Sequence, residues 1–143
     1  MIVSLRFCRS FLLICAALLV AVALVLAAGV IPPVKAATFP GATPESAVPA
    51  FWVNVVLSLL TATVLGFIAI RTKGRSRIST TGLVLLAFLV LLLAFALVDA
   101  AFAYNSEGPT MQTAAILLFI CSAADLLAAV LVITTVFVLP KRT

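Results

Sequence analysis

The sequence contains no histidine, four acidic residues and nine basic ones, so only 9% of its side chains are charged. Without histidine it lacks the commonest general base and metal ligand near neutral pH. The shortage of charge excludes more. A water-soluble domain carries about 25% charged and about 45–50% apolar residues. Here 66% are hydrophobic and the mean hydropathy is +1.41. Too few charges are present to cover a surface facing water, which excludes a soluble globular enzyme and a disordered tail. The net charge of +5 does not point to nucleic acid, because the basic residues are few and lie at the ends of apolar runs. The three cysteines, Cys8, Cys15 and Cys121, are an odd number without a C-x-x-C pair, which argues against a thiol–disulfide enzyme or a zinc site. No nucleophile–base pair or metal-ligand cluster can be assembled, so neither catalysis nor a cofactor is expected.

What the sequence does have is four long apolar runs, at positions 11–31, 50–70, 81–104 and 111–139. Each meets the length of about 20 apolar residues needed to cross a hydrocarbon core about 30 Å thick. The first two are uncharged; the third holds Asp99 and the fourth Asp125. The expected fold is all-α: an integral membrane four-helix bundle forming one domain over residues 1–143. Pro32 and Pro33 are expected to stop the first helix, and Pro140 the last. Pro40, Gly41, Pro44 and Pro49 keep the first long loop irregular, and Asn105, Ser106, Gly108 and Pro109 form a tight turn.

Orientation follows from the basic residues, which concentrate in cytoplasmic segments. Arg6, Arg9, Arg71, Lys73, Arg75, Arg77, Lys141 and Arg142 fall on one side, and only Lys35 on the other, with Glu45 and Glu107. Both termini are therefore expected in the cytoplasm. A signal peptide cleaved near Val34-Lys35-Ala36 is the alternative for the first run. Its length exceeds the about 7–15 residues of a signal core, which favours a retained span. Trp52 and Tyr104 are expected as aromatic anchors at the outer interface.

The polar residues within the runs are the candidate functional groups. An acid at the centre of a span costs about 2.5–3.5 kcal/mol on insertion scales and is a functional candidate by default. At 1.5 Å per residue, Asp99 lies about 7–8 Å below the outer surface and Asp125 about 20 Å down, too far apart for a carboxylate pair. Asn54 falls near the level of Asp99 and is its expected partner. Ser58, Thr61 and Thr63 fall nearest Asp125, and Ser122 shares its helix face. No basic side chain lies within the runs, so Asp125 is expected as a neutral acid donating a hydrogen bond to one of those hydroxyls. Ala62 with Gly66, and Ala124 with Ala128, are small-xxx-small pairs suited to close helix approach. Residues 83–98 carry no polar side chain and read as facing lipid or another copy. Arg71, Lys73, Arg75 and Arg77 are expected to meet anionic lipid at about 1 kcal/mol per residue. Cys8, between Arg6 and Arg9 at the cytoplasmic edge, is a candidate for palmitoylation.

The four-span pattern, the cytoplasmic termini and the acid in the segment Phe95-Ala-Leu-Val-Asp99 resemble the MARVEL-like group, including the Casparian-strip-like membrane proteins. That resemblance implies a non-enzymatic scaffold that organises membrane patches or vesicles. The Casparian-type pattern also has an arginine within span one, and here only Arg9 at its edge stands in that role. Partners are expected to be the bilayer itself, further copies of the chain or other membrane proteins, in the plasma membrane or the secretory pathway. Membership of a complex as a small subunit is equally compatible. The alternative is a small oligomeric transporter or channel, coupled to protons or cations through Asp125.

Overall fold

The computed structural model describes the backbone of residues 2–32, 44–71, 77–105 and 109–138, and the side chains of 6–32, 49–71, 80–103, 105 and 112–138. They form four long helices. These are α1 (Ile2–Val25, continued by a π-helical turn over Leu26–Val30), α2 (Pro44–Arg71), α3 (Arg77–Asn105) and α4 (Pro109–Val138). The segments Arg6–Val30, Pro49–Arg71, Thr80–Ala103 and Gln112–Val138 are each long and apolar enough to cross a membrane.

The helix ends depart from the apolar runs in two places. Arg6 and Arg9 lie inside α1 rather than before it, because arginine is a good helix former and does not interrupt the backbone ladder. Pro44 opens α2 instead of belonging to a loop, and Pro49 lies within the helix. Proline at the first helical position loses no bond, since that N–H has no intrahelical acceptor. Pro49, one turn further in, forfeits a single one. Pro109 opens α4 in the same way. At the end of α1 the backbone widens to i→i+5 bonding, with the Ile31 N–H donating to the Leu26 carbonyl. The widening lies just before Pro32, which has no N–H to donate.

Helices consecutive in sequence run antiparallel. One buried cluster joins Ile31, Phe51, Ala101 and Ala115; the other joins Cys8, Ala69, Leu83 and Val132. The bundle therefore has a proline end, near Pro32, Pro49 and Pro109, and an arginine end, near Arg6, Arg9 and Arg71. α1 packs along α2 and α4, α3 packs most extensively on α4, and α2 touches α3 least. α2 and α4 are thus diagonal across the bundle axis, as are α1 and α3.

On α3 both faces are largely apolar, and side-chain size distinguishes them better than polarity. Along α3, Leu83, Ala87, Val90, Ala94, Leu97 and Ala101 are buried, while Val84, Leu85, Phe88, Leu92, Phe95 and Phe102 are exposed. Six of the sixteen residues in the segment 83–98, expected to face outward, are core. Large apolar side chains are exposed on every helix, among them Leu24, Ile70, Phe95 and Phe137. Burying one such side chain is worth about 1.5–3 kcal/mol in water, so an exterior of this kind suits hydrocarbon.

Candidate functional site

Five of the polar residues singled out in the sequence are buried between the middle of the bundle and its proline end. On α4 the buried face comprises Leu118, Cys121, Ser122, Asp125, Ala128, Ala129 and Val132, at helical spacing. Asp125 is equidistant from the two ends of Gln112–Val138 and is completely buried. On α2, Asn54, Ser58 and Thr61 are buried at i, i+4 and i+7. Above the level of Asp125 lies the cluster containing Leu26, Val55, Leu97 and Leu118; below it lies the cluster containing Leu12, Leu65, Val90 and Val132.

Two hydrogen bonds fix α4 on either side of Asp125. The Ser122 hydroxyl donates to the Ala94 carbonyl of α3 at 3.2 Å. The Cys15 thiol of α1 donates to the Ala128 carbonyl at 3.3 Å. Both donors come from side chains whose own helices already satisfy their backbone groups, so each bond is purely a link between helices. Interhelical bonds of this kind average about 0.6 kcal/mol in membrane proteins. Ser122→Ala is accordingly expected to lower unfolding stability in detergent by about 0.5–1 kcal/mol, leaving helix content unchanged. A larger loss would mean that Ser122 does more than tie α4 to α3.

Asp125 has no such tie: both carboxyl oxygens are buried without a hydrogen-bond partner. The acceptors expected on α2 do not reach it, because α2 lies diagonally opposite α4. The Ser58 hydroxyl donates to Asn54 Oδ1 at 3.4 Å, and Thr61 Oγ1 to the Leu57 carbonyl at 2.7 Å. Thr63 is on the exposed face and donates to the Leu59 carbonyl at 2.9 Å, which removes it from the candidate set.

The other candidates lie apart. Asp99 is not held against Asn54. It is exposed, in an open groove lined by Phe95, Ala96, Val98 and Phe102, whereas Asn54 is in the core. The cause is register: the buried stripe of α3 runs through Ala94, Leu97 and Ala101, and Asp99 falls between its members. Arg9 is near the arginine end and Asp99 near the proline end, so the two do not pair with each other. Cys8 is fully buried against Leu12 and Cys15 rather than presented at the surface, so its thiol is not placed for acylation. All three cysteines are free and buried. Arg71 is exposed at the end of α2, its guanidinium over the Phe67 ring at 5.6 Å. Lys73 and Arg75, and the side chains of Arg77 and Tyr104, lie outside the described residues.

Of the small-residue pairs, Ala128 is at a close contact but Gly66 is not: a Cβ there would meet nothing within 4 Å. The residue that does admit a close approach is Gly29, where a Cβ would come within 3.1 Å of Leu117 Cδ1. Neither Gly29 nor Cys15 carries a signal distinguishing it in the sequence from other small residues of an apolar helix.

These features define the protein as an all-helical bundle with four candidate membrane spans and buried polar side chains between mid-height and the proline end. Comparison with known proteins finds no matching family model, curated relative or solved structure.

Proposed function

We propose that the chain is a non-enzymatic membrane protein that assembles laterally with further copies of itself, and in doing so organises a membrane patch or builds a membrane complex. The observation that carries this reading is the outer face of α3. Phe88, Phe95 and Phe102 are all exposed there and recur every seven residues, while Ala87, Ala94 and Ala101 recur with the same period on the buried side. A strict seven-residue repeat keeps one stripe of a helix against a partner helix at a shallow left-handed crossing. The Phe102 ring is held edge-to-face on Phe119 of α4 at 5.2 Å, which orients the upper end of the stripe. Asp99 lies between Phe95 and Phe102 on the same face, four residues before the end of Thr80–Ala103. An acid on the outside of a span needs donors from beyond the chain, whether from a partner or from the aqueous edge.

With an even number of spans, the start of α1 and the end of α4 share the arginine end. Together with the basic residues this supports the orientation with both termini in the cytoplasm. Arg71, Lys73, Arg75 and Arg77 then meet anionic lipid, in the plasma membrane or a membrane of the secretory pathway. The scaffold role implied by the MARVEL-like resemblance fits the same arrangement. Energy transfer between labelled copies in liposomes tests the assembly. The wild-type chain is expected to self-associate, and Phe88→Ala combined with Phe95→Ala to weaken association without changing helix content. A monomeric wild type, or equal association of the double variant, would overturn the proposal.

A further inference from the structure

Asp125 raises a separate question, independent of the α3 face. A carboxyl group with two unpartnered oxygens at the centre of a bundle is a costly feature, and packing does not require it, because Ser122 and Cys15 already tie α4 to its neighbours. Apolar clusters flank its level on both sides, but the buried polar side chains are unevenly distributed between the two halves of the bundle. Towards the proline end, α2 carries Asn54, Ser58 and Thr61 on its buried face, separated along the helix axis by about 6 Å and then about 4.5 Å. Hydroxyls both donate and accept, and Ser58 already donates to Asn54. Towards the arginine end the core is the apolar cluster of Leu12, Leu65, Leu83, Val90 and Val132. Among the described residues Thr135 is the one fully buried polar side chain of that half, ten residues from Asp125 along α4, so no succession of hydroxyls leads from it to the carboxyl.

We propose that Asp125 is a proton-binding site at the centre of the bundle, reached from the proline end along the Asn54–Ser58–Thr61 ladder of α2 and closed towards the arginine end. The ligand is a proton rather than a metal ion because the donor set is a single carboxyl. Hard cations collect six or more oxygens, and the described residues hold no group of three or more His, Cys, Asp or Glu side chains around any point. The titratable groups facing this level are Cys15 of α1 and Cys121, one turn before Asp125 on α4. Among the described residues α2 and α3 bring no charged group to it. Transfer between the ladder and the carboxyl crosses the bundle axis, since α2 and α4 are diagonal. The proposed route therefore requires water between the hydroxyls and the carboxyl, a bridge enthalpically close to a direct bond.

Infrared spectroscopy of the full-length chain in liposomes tests both parts. The carbonyl band of a protonated carboxylic acid is expected near neutral pH and is expected to be missing in Asp125→Asn. Raising the pH sufficiently should bleach it, and transfer into heavy water should shift it. Ser58→Ala combined with Thr61→Val is expected to slow that deuterium shift several-fold, while Thr63→Val, on the exposed face, should leave it unchanged. Thermal unfolding of each variant verifies that the bundle is intact. Absence of an Asp125-dependent band at every pH, or a band indifferent to pH, would overturn the site. An unaltered exchange rate in the folded ladder variant would overturn the route.

Discussion

Asp125→Val is expected to unfold at a higher temperature than the wild-type chain. The usual outcome of replacing a buried residue is destabilisation, so the sign of this change is diagnostic. Both Asp125 oxygens are buried without partners, and such a group costs about 1–3 kcal/mol relative to a satisfied or apolar one. Valine removes that cost, adds apolar contact at a level flanked above and below by apolar clusters, and has nearly the helix propensity of aspartate. A gain of about 1–3 kcal/mol follows. Asp125→Asn keeps an amide in the same unpartnered place and should gain far less. Measured in detergent by thermal or denaturant unfolding, a loss of stability in Asp125→Val would mean that the carboxyl makes a structural hydrogen bond. A gain would mark Asp125 as a residue whose presence weakens the bundle, as expected of a group retained for its chemistry.

The number and position of the helices were legible because one physical requirement, about 20 apolar residues per crossing, overrides most local detail. Where that requirement is silent the sequence is less legible. Pro44 and Pro49 punctuate a soluble loop, yet near a helix start a proline loses little, and α2 includes both. The level of Asp125 was legible from residue counting. Its hydrogen-bonding was not: Ser58 and Thr61 match it in height, but the diagonal placement of α2 and α4 depends on which helices become neighbours. Asp99 illustrates the same gap. Its depth matched Asn54, but its direction depends on a buried stripe of Ala94, Leu97 and Ala101. That stripe cannot be told from its exposed neighbours by polarity when both are apolar. In water the inner face of a helix is the greasy one; here the inner face is instead marked by smaller residues, Ala87, Ala94 and Ala101 against Phe88, Phe95 and Phe102.

Gly29→Leu is expected to be among the most damaging single substitutions in the first helix, although position 29 carries no polar or charged group. The π-helical turn of α1 brings its backbone against α4, and a Cβ at Gly29 would lie 3.1 Å from Leu117 Cδ1. Alanine needs only a few tenths of an ångström from the tip of a flexible leucine, so Gly29→Ala should be nearly neutral. Leucine adds three further carbons. They must be accommodated against Leu117, which packs on the buried cluster of Leu26, Val30 and Leu118, and overpacking of this kind costs about 1–3 kcal/mol. The strain is specific to one contact, so it has a specific remedy. Leu117→Ala removes the side chain that Gly29→Leu would strike, and the double variant should be more stable than Gly29→Leu alone. Residues in contact are expected to show a coupling of about 0.5–3 kcal/mol, whereas distant ones add. Simple additivity of the two substitutions in an unfolding experiment would show that α1 and α4 do not approach at Gly29. Recovery in the double variant would place that approach at the widened turn.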